Sequence, residues 1–337
     1  MKLTKILSPI MFLIFNTCII SAQNLQVKVA DVGAGLCVIA EIPNLQDSSD
    51  PYYMLYDVGR GCLDDINEMI PEEQPIDLIV LSHNDSDHIY DADKVLDEYL
   101  VKKILWSGFQ RPDIGQWNEL NEAINAEHPD ELINLRVHQL PIGSTWVYGE
   151  TYITFVAGFH VPPPQWGFSP SEESEYRNAG SIVMRIVHGQ KSILLTGDMI
   201  GRHETDNFPN NGIIAAEKFV VANRFAVPID SDLLVASHHG GNDASSIPFI
   251  ESVNPEYVIF PSGSNDRYGH PRSAVAQRFL DSGVLLHNIF RTDKEDDESH
   301  AGHWEPDGVT GVVDGSGDDS VIISITSEGV ISVGYEN

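Results

Sequence analysis

Basic residues are scarce in this chain: 20 Lys and Arg stand against 50 Asp and Glu in 337 residues, a formal charge of −30. A surface this negative repels polyanions at long range, which argues against a tight, sequence-indifferent grip on long nucleic acid. Cysteine is nearly missing, with three residues and no metal-type Cys cluster, so a thiolate zinc site is excluded. After residue 20 no apolar run is long enough to cross a membrane. The sequence also lacks a Gly-rich phosphate loop, a solenoid-type repeat and a low-complexity tract. Hydrophobic residues, at 42%, are ample for a large core, and charged residues, at 21%, are ordinary, so wholesale disorder is excluded.

Residues 1–22 read as an export signal, with Lys2 and Lys5 as the positive start, an apolar run over 6–20 and the small residues Ser21 and Ala22 for cleavage. The run is short for a membrane span and is broken by Pro9, Asn16 and Thr17. Cys18 raises lipid attachment, but Phe15-Asn16-Thr17 is a poor approach to it. Removing this segment takes away two basic residues and no acids, leaving 18 against 50 and a charge of −32. The expected place is therefore exported, periplasmic or extracellular. An oxidising compartment there allows a disulfide between Cys37 and Cys62, whose separation the sequence does not give.

From residue 25 strands and helices alternate. The pattern predicts strands at 25–29, 35–42, 52–56, 76–81, 103–106, 145–148, 152–155, 181–187, 192–196, 232–236, 257–260 and 284–290. Helices are expected at 64–70, 91–100, 118–126, 217–224 and 273–281. Residues 158–180, with Pro162, Pro163, Pro164 and Pro170, read as a long loop, either a lid or a solvated connection. Residues 293–319 read as an acidic, Gly-rich insertion, and 321–325 with 330–333 as a closing hairpin. Two rounds of strands and helices imply an α/β (α+β) fold with four layers, an αββα sandwich, over 23–337 as one domain.

The strongest chemical signal is Ser82-His83-Asn84-Asp85-Ser86-Asp87-His88. His83, Asp85, Asp87 and His88 fall within six residues, between a buried strand and a helix. A turn leaving a strand can aim several such side chains at one point, and imidazole with carboxylate suits Zn²⁺, Mn²⁺ or Fe. Thr196-Gly197-Asp198 puts a carboxylate at a strand end, after a Gly that permits close backbone approach. Ser237-His238-His239-Gly240 follows another strand, and at least one of its histidines is expected to be a ligand. In Asn265-Asp266-Arg267-Tyr268-Gly269-His270-Pro271, His270 is a candidate for metal or substrate and Arg267 for an anionic group.

In this order the pieces resemble the metallo-β-lactamase fold hydrolases, and in detail the hydrolase domain of ComEC-type competence proteins. Asp31-Val32-Gly33-Ala34-Gly35 and Tyr56-Asp57-Val58-Gly59 resemble that group's opening motifs. The His-x-Asp-x-Asp-His form at 83–88 is typical of the subgroup, and Asn178 and Ser181 correspond to its Asn-x-x-Ser. The resemblance implies a metallo-β-lactamase-like fold with two divalent metal ions, zinc or manganese. His83 and Asp85 would hold one ion; Asp87, His88 and one of His238 or His239 the other; Asp198 would bridge them. The first ion lacks an obvious third ligand, for which His160 is a candidate by chain order. Three carboxylates harden the site and favour manganese, with zinc retained.

Such a site implies a metal-dependent hydrolase using a metal-bound hydroxide, with Asp87 orienting the attacking water and His270 or Arg267 stabilising the developing anion. A small or short phosphodiester is the expected substrate, as for a phosphodiesterase or nuclease. The alternatives are hydrolysis of an ester, lactone or amide and, in another class, a non-catalytic metal-dependent binding protein. β-Lactam hydrolysis is disfavoured by the altered first metal site.

Overall fold

The computed structural model describes residues 24–126, 132–138, 140, 142–203, 213–263, 269–292 and 320–336. The export segment, Arg267 and the acidic insertion of the sequence reading lie outside the described residues.

The first half builds β1 (Leu25–Val29), β2 (Cys37–Ile42), β3 (Tyr52–Val58), α1 (Cys62–Met69), β4 (Leu78–Leu81), α2 (Ser86–Ile89), α3 (Ala92–Glu98), β5 (Ile104–Trp106), α4 (Gly115–Ala126) and β6 (Leu132–Asn134). The second half builds β7 (Thr145–Tyr148), β8 (Thr151–Ala157), α5 (Glu173–Asn178), β9 (Val183–His188), β10 (Lys191–Leu195), α6 (Ala215–Asn223), β11 (Leu233–Val235), α7 (Ile247–Val253), β12 (Tyr257–Phe260), α8 (Ser273–Asp281) and β13 (Ile289–Arg291). The C-terminal hairpin β14 (Val321–Ile325) and β15 (Ile331–Tyr335) returns to the first sheet, where β14 pairs antiparallel with β1. One sheet runs β15-β14-β1-β2-β3-β4-β5-β6 and the other β13-β12-β11-β10-β9-β8-β7.

Successive residues of a strand point to opposite faces, and here both faces are apolar. Tyr56, Val80, Leu195 and Val235 enter the core between the sheets. Their neighbours Leu55 and Ile79 pack against Ile66, Val95 and Leu120 of the first helix layer. Leu194 and Leu234 pack against Val220, Phe249 and Phe279 of the second. The layers are helix, sheet, sheet, helix, as the sequence pattern predicts. Among the described residues no helix is long and apolar enough to cross a membrane.

Two expectations need correction. Residues 284–290 do not form one strand: a 3₁₀ turn occupies Leu286–Asn288, held by the Asn288 amide donating to the Glu256 carbonyl, and β13 begins at Ile289. Residues 158–180 are not a solvated connection. They contain a 3₁₀ turn at Pro164–Trp166 and α5, with Phe159 and Trp166 against Phe219 and with Phe168 and Tyr176 buried. Cys37 and Cys62 are joined as a disulfide, Cα to Cα 6.0 Å, tying the start of β2 to the start of α1.

Candidate metal centre

The chain leaves β4 through Ser82 and His83 and turns into α2. Asp57, at the end of β3 and fully buried, reaches under this turn from a left-handed backbone, φ 56°. Its carboxylate accepts the Ser82 amide (2.6 Å), the Ser82 hydroxyl (2.7 Å) and Nδ1–H of His88 (2.7 Å). The Ser82 hydroxyl has one proton, given to Asp57, so its contact with His83 Nδ1 at 3.0 Å must be one it accepts. Both rings therefore turn Nε2 inward, an arrangement that orients metal-binding histidines elsewhere. Gly35 and Gly59 lie against the Asp87 carbonyl; a Cβ on Gly35 would come within 2.6 Å of it.

The opposite wall comes from the second sheet. Gly197, at φ +51°, lets the turn after β10 pass Ser82, where a Cβ would lie 2.6 Å from the Ser82 side chain. That approach presents Asp198. The turn after β11 puts His238 and His239 both in the left-handed region, φ 50° and 52°. Non-Gly residues in this region are costly and cluster at functional sites. His238 donates from Nδ1 to Asp243 (2.8 Å) and His239 from Nδ1 to the Pro261 carbonyl (2.7 Å). Four imidazoles, tied through Nδ1, thus present Nε2 to one carboxylate.

Asp198 divides them. Its Oδ1 lies 3.1 Å from His88 Nε2 and 3.4 Å from His239 Nε2. Asp87 Oδ2 joins this side at 3.6 Å from His239 and 4.0 Å from His88. Asp198 Oδ2 lies 3.7 Å from His83 Nε2 and 3.8 Å from His238 Nε2. Donors about 2.1 Å from a shared ion sit roughly 3.0–3.4 Å apart, so both sides are close to a coordination shell. Two triads, His83-His88-Asp198 and Asp87-His88-His239, hold their donor atoms within 4.8 Å of one another. His83 Nε2 is buried with no hydrogen-bond partner, a cost that a cation would remove. The donor set therefore fits divalent metal.

Burial and opposite charges pull against each other in the pocket. Burial pulls His88 and His238 down, but the Asp198 charge, with Asp57 for His88 and Asp243 for His238, pushes His88 well up and His238 to about 10. Burial opposes ionisation of Asp198 and Asp87, yet the histidines facing them hold both below the usual carboxylate range. Burial and the neighbouring His88 lower His83. A cation would compete with these protons, so metal loading releases them.

Asp85 stands apart. Its Oδ2 is 3.8 Å from His83 Nε2, while Oδ1 accepts Arg111 at 2.8 Å and Arg177 Nε. His160 donates from Nδ1 to the Ser107 carbonyl at 3.0 Å and joins neither triad. His270 lines a cavity of about 180 Å³ together with Ala34, Ser86, Asp87, His239, Ser262 and Gly263. Burial and the adjacent His238 and His239 lower its pKa to about 3, leaving a neutral ring. Sequence reasoning missed the supporting residues Asp57, Asp243, Arg111 and Arg177 as such. Asp57 sat in a noted motif and Asp243 five residues after His238, whereas no local signal marks the arginines.

No family model matches the chain. The competence protein ComA of Neisseria gonorrhoeae is 26% identical over 282 residues, covering 79% of this chain and 31% of its own. ComE operon protein 3 of Bacillus subtilis is 25% identical over 309 residues, 85% of this chain and 34% of its own. The chain thus spans about a third of the length of these curated relatives. Among solved structures, the metallo-beta-lactamase fold protein YhfI from Bacillus subtilis aligns over 80% of this chain and 96% of its own, at 13% identity and a TM-score of 0.45. The likeness to competence proteins drawn from the motifs is what the sequence comparison returns.

Proposed function

We propose that this chain is an exported, dinuclear metal-dependent hydrolase whose substrate is a small or loosely held phosphodiester. The observation that carries the reading is the set of four inward Nε2 atoms around Asp198, with Asp87 and His239 also lining the adjacent cavity. Two divalent cations, manganese or zinc, would be held by His83 and His238 on one side and by Asp87, His88 and His239 on the other, with Asp198 between. When bound they supply Lewis acidity and a water acidified towards neutral pH.

The protein's own groups do the rest. Asp87, ionised and half-buried at the cavity wall, accepts a hydrogen bond that orients a water. His270, neutral on the facing wall, donates a hydrogen bond to an oxygen that gains charge. Asp57, Asp243 and the Pro261 carbonyl hold the imidazoles in register. The motif order and the competence relatives favour a phosphodiester over a carboxylic ester. The disulfide and the apolar start of the sequence favour export.

The test is a metal-by-substrate matrix on the purified protein. Manganese- or zinc-loaded protein should cleave bis(p-nitrophenyl) phosphate, and Asp87→Ala should abolish turnover while the circular dichroism spectrum is retained. Cleavage of a carboxylic ester with no phosphodiesterase activity would overturn the substrate assignment, and metal binding with neither activity would overturn the enzyme.

A further inference from the structure

We infer that Asn178 is a ligand of the cation on the His83 side of Asp198. This deepens the metal-site reading above and rests on it. That side has three donors in place, His83 Nε2, Asp198 Oδ2 and His238 Nε2, and so lacks a fourth for even the smallest common coordination number. Asp85, which the motif supplies, has one oxygen engaged by two guanidinium groups, and their positive charge weakens it as a donor.

Asn178 ends α5 and is buried. Its amide nitrogen lies 3.3 Å from His238 Nε2, while its amide oxygen is buried with no hydrogen-bond partner. An orphaned buried amide oxygen forfeits its hydration with nothing in return, so a partner is expected there. A half turn of the amide puts that oxygen in the nitrogen's place, at 3.3 Å from His238 Nε2, the spacing of two donors on one ion. His83 Nε2 is a second orphan facing the same carboxylate oxygen of Asp198. The same helical turn carries Arg177, which binds Asp85. One turn therefore both ties down Asp85 and brings an uncharged oxygen donor to the pocket. A carbonyl oxygen is a hard ligand, suited to manganese more than to zinc.

The experiment is manganese titration of the metal-stripped full chain, by calorimetry and by electron paramagnetic resonance. Wild type should take two ions and give the spectrum of a coupled pair. Asn178→Ala should weaken one site by at least about tenfold, leave the other unchanged and give the spectrum of an isolated ion. Asn178→Asp, which keeps the shape and strengthens the oxygen donor, should bind at that site at least as tightly as wild type. Wild-type affinity at both sites in Asn178→Ala overturns the inference, as does equal loss at both. If Asn178→Ala does not fold, weakened binding in Asn178→Asp overturns it. Two bound ions without phosphodiester turnover would sink the proposed activity and leave this inference standing.

Discussion

The two sides of Asp198 are built differently. On the Asp87 side, His88 and His239 lie 3.2 Å apart at Nε2, and the pair is held by Asp57 and a backbone carbonyl. On the His83 side the spacings to Asp198 are longer, 3.7 and 3.8 Å, and the motif carboxylate Asp85 is drawn to two arginines. The first side is close to a finished coordination shell; the second is more open, with its donors farther from the shared carboxylate. Sites whose donors are already positioned lose less entropy when an ion arrives, so the Asp87 side should bind the tighter ion.

Removing the shared carboxylate should abolish the distinction. Asp198→Ala is expected to weaken both ions by more than the roughly 10–100-fold typical of losing an outer hydrogen-bond partner. Metal content after dialysis measures this, and one retained ion would show that Asp198 does not bridge. Asp57→Asn comes next. It removes the negative charge and replaces one of the two oxygens that accept from Ser82 and His88 by an NH2 donor, so it should cost on the order of 2 kcal/mol in denaturant unfolding and loosen the Asp87-side ion about tenfold or more. Unchanged affinity would mean that His88 needs no orienting partner. Asp243→Asn is the counterpart for His238 and should weaken only the His83-side ion, by about 10–100-fold, in the same titration. Loss at the Asp87 side instead would reverse the assignment of His238 and His239.

The smallest effect on metal binding is expected from Glu217, beneath the turn that carries Asp243. Its carboxylate accepts the Ser246 amide at 3.2 Å, and burial pushes its pKa up to about 7. A carboxyl whose folded pKa is raised adds stability that is complete below its ordinary value of 4.5 and is lost as pH rises through 7. Thermal stability of the wild type should therefore fall as pH rises from 4.5 to about 7, and Glu217→Gln should flatten that slope. An unaltered slope would place the titration elsewhere.

Legibility followed chain distance. The 83–88 loop was readable because its donors share one turn between an apolar strand and a helix, and the two-sheet plan was readable because β4, β11 and β12 are continuous apolar runs. The 158–180 segment was misread because its prolines mask the apolar anchors Phe159, Trp166, Phe168 and Tyr176, whose partners lie elsewhere in the chain. Residues 284–290 were misread because an apolar run does not reveal that Asn288 reaches Glu256. The roles of Asp57 and Arg177 were hidden for the same reason: each acts on a side chain far from it in sequence.

By itself the sequence determined the alternation of strands and helices, the four-layer plan and a loop able to offer His83, Asp85, Asp87 and His88, because all of these are set by local periodicity and spacing. Tertiary structure decided which donors meet. Arg177 crosses 92 residues to take Asp85, and His239 crosses 151 to face His88. Spacing directs a side chain within its own turn, whereas the turn it encounters is chosen by how the two sheets pack.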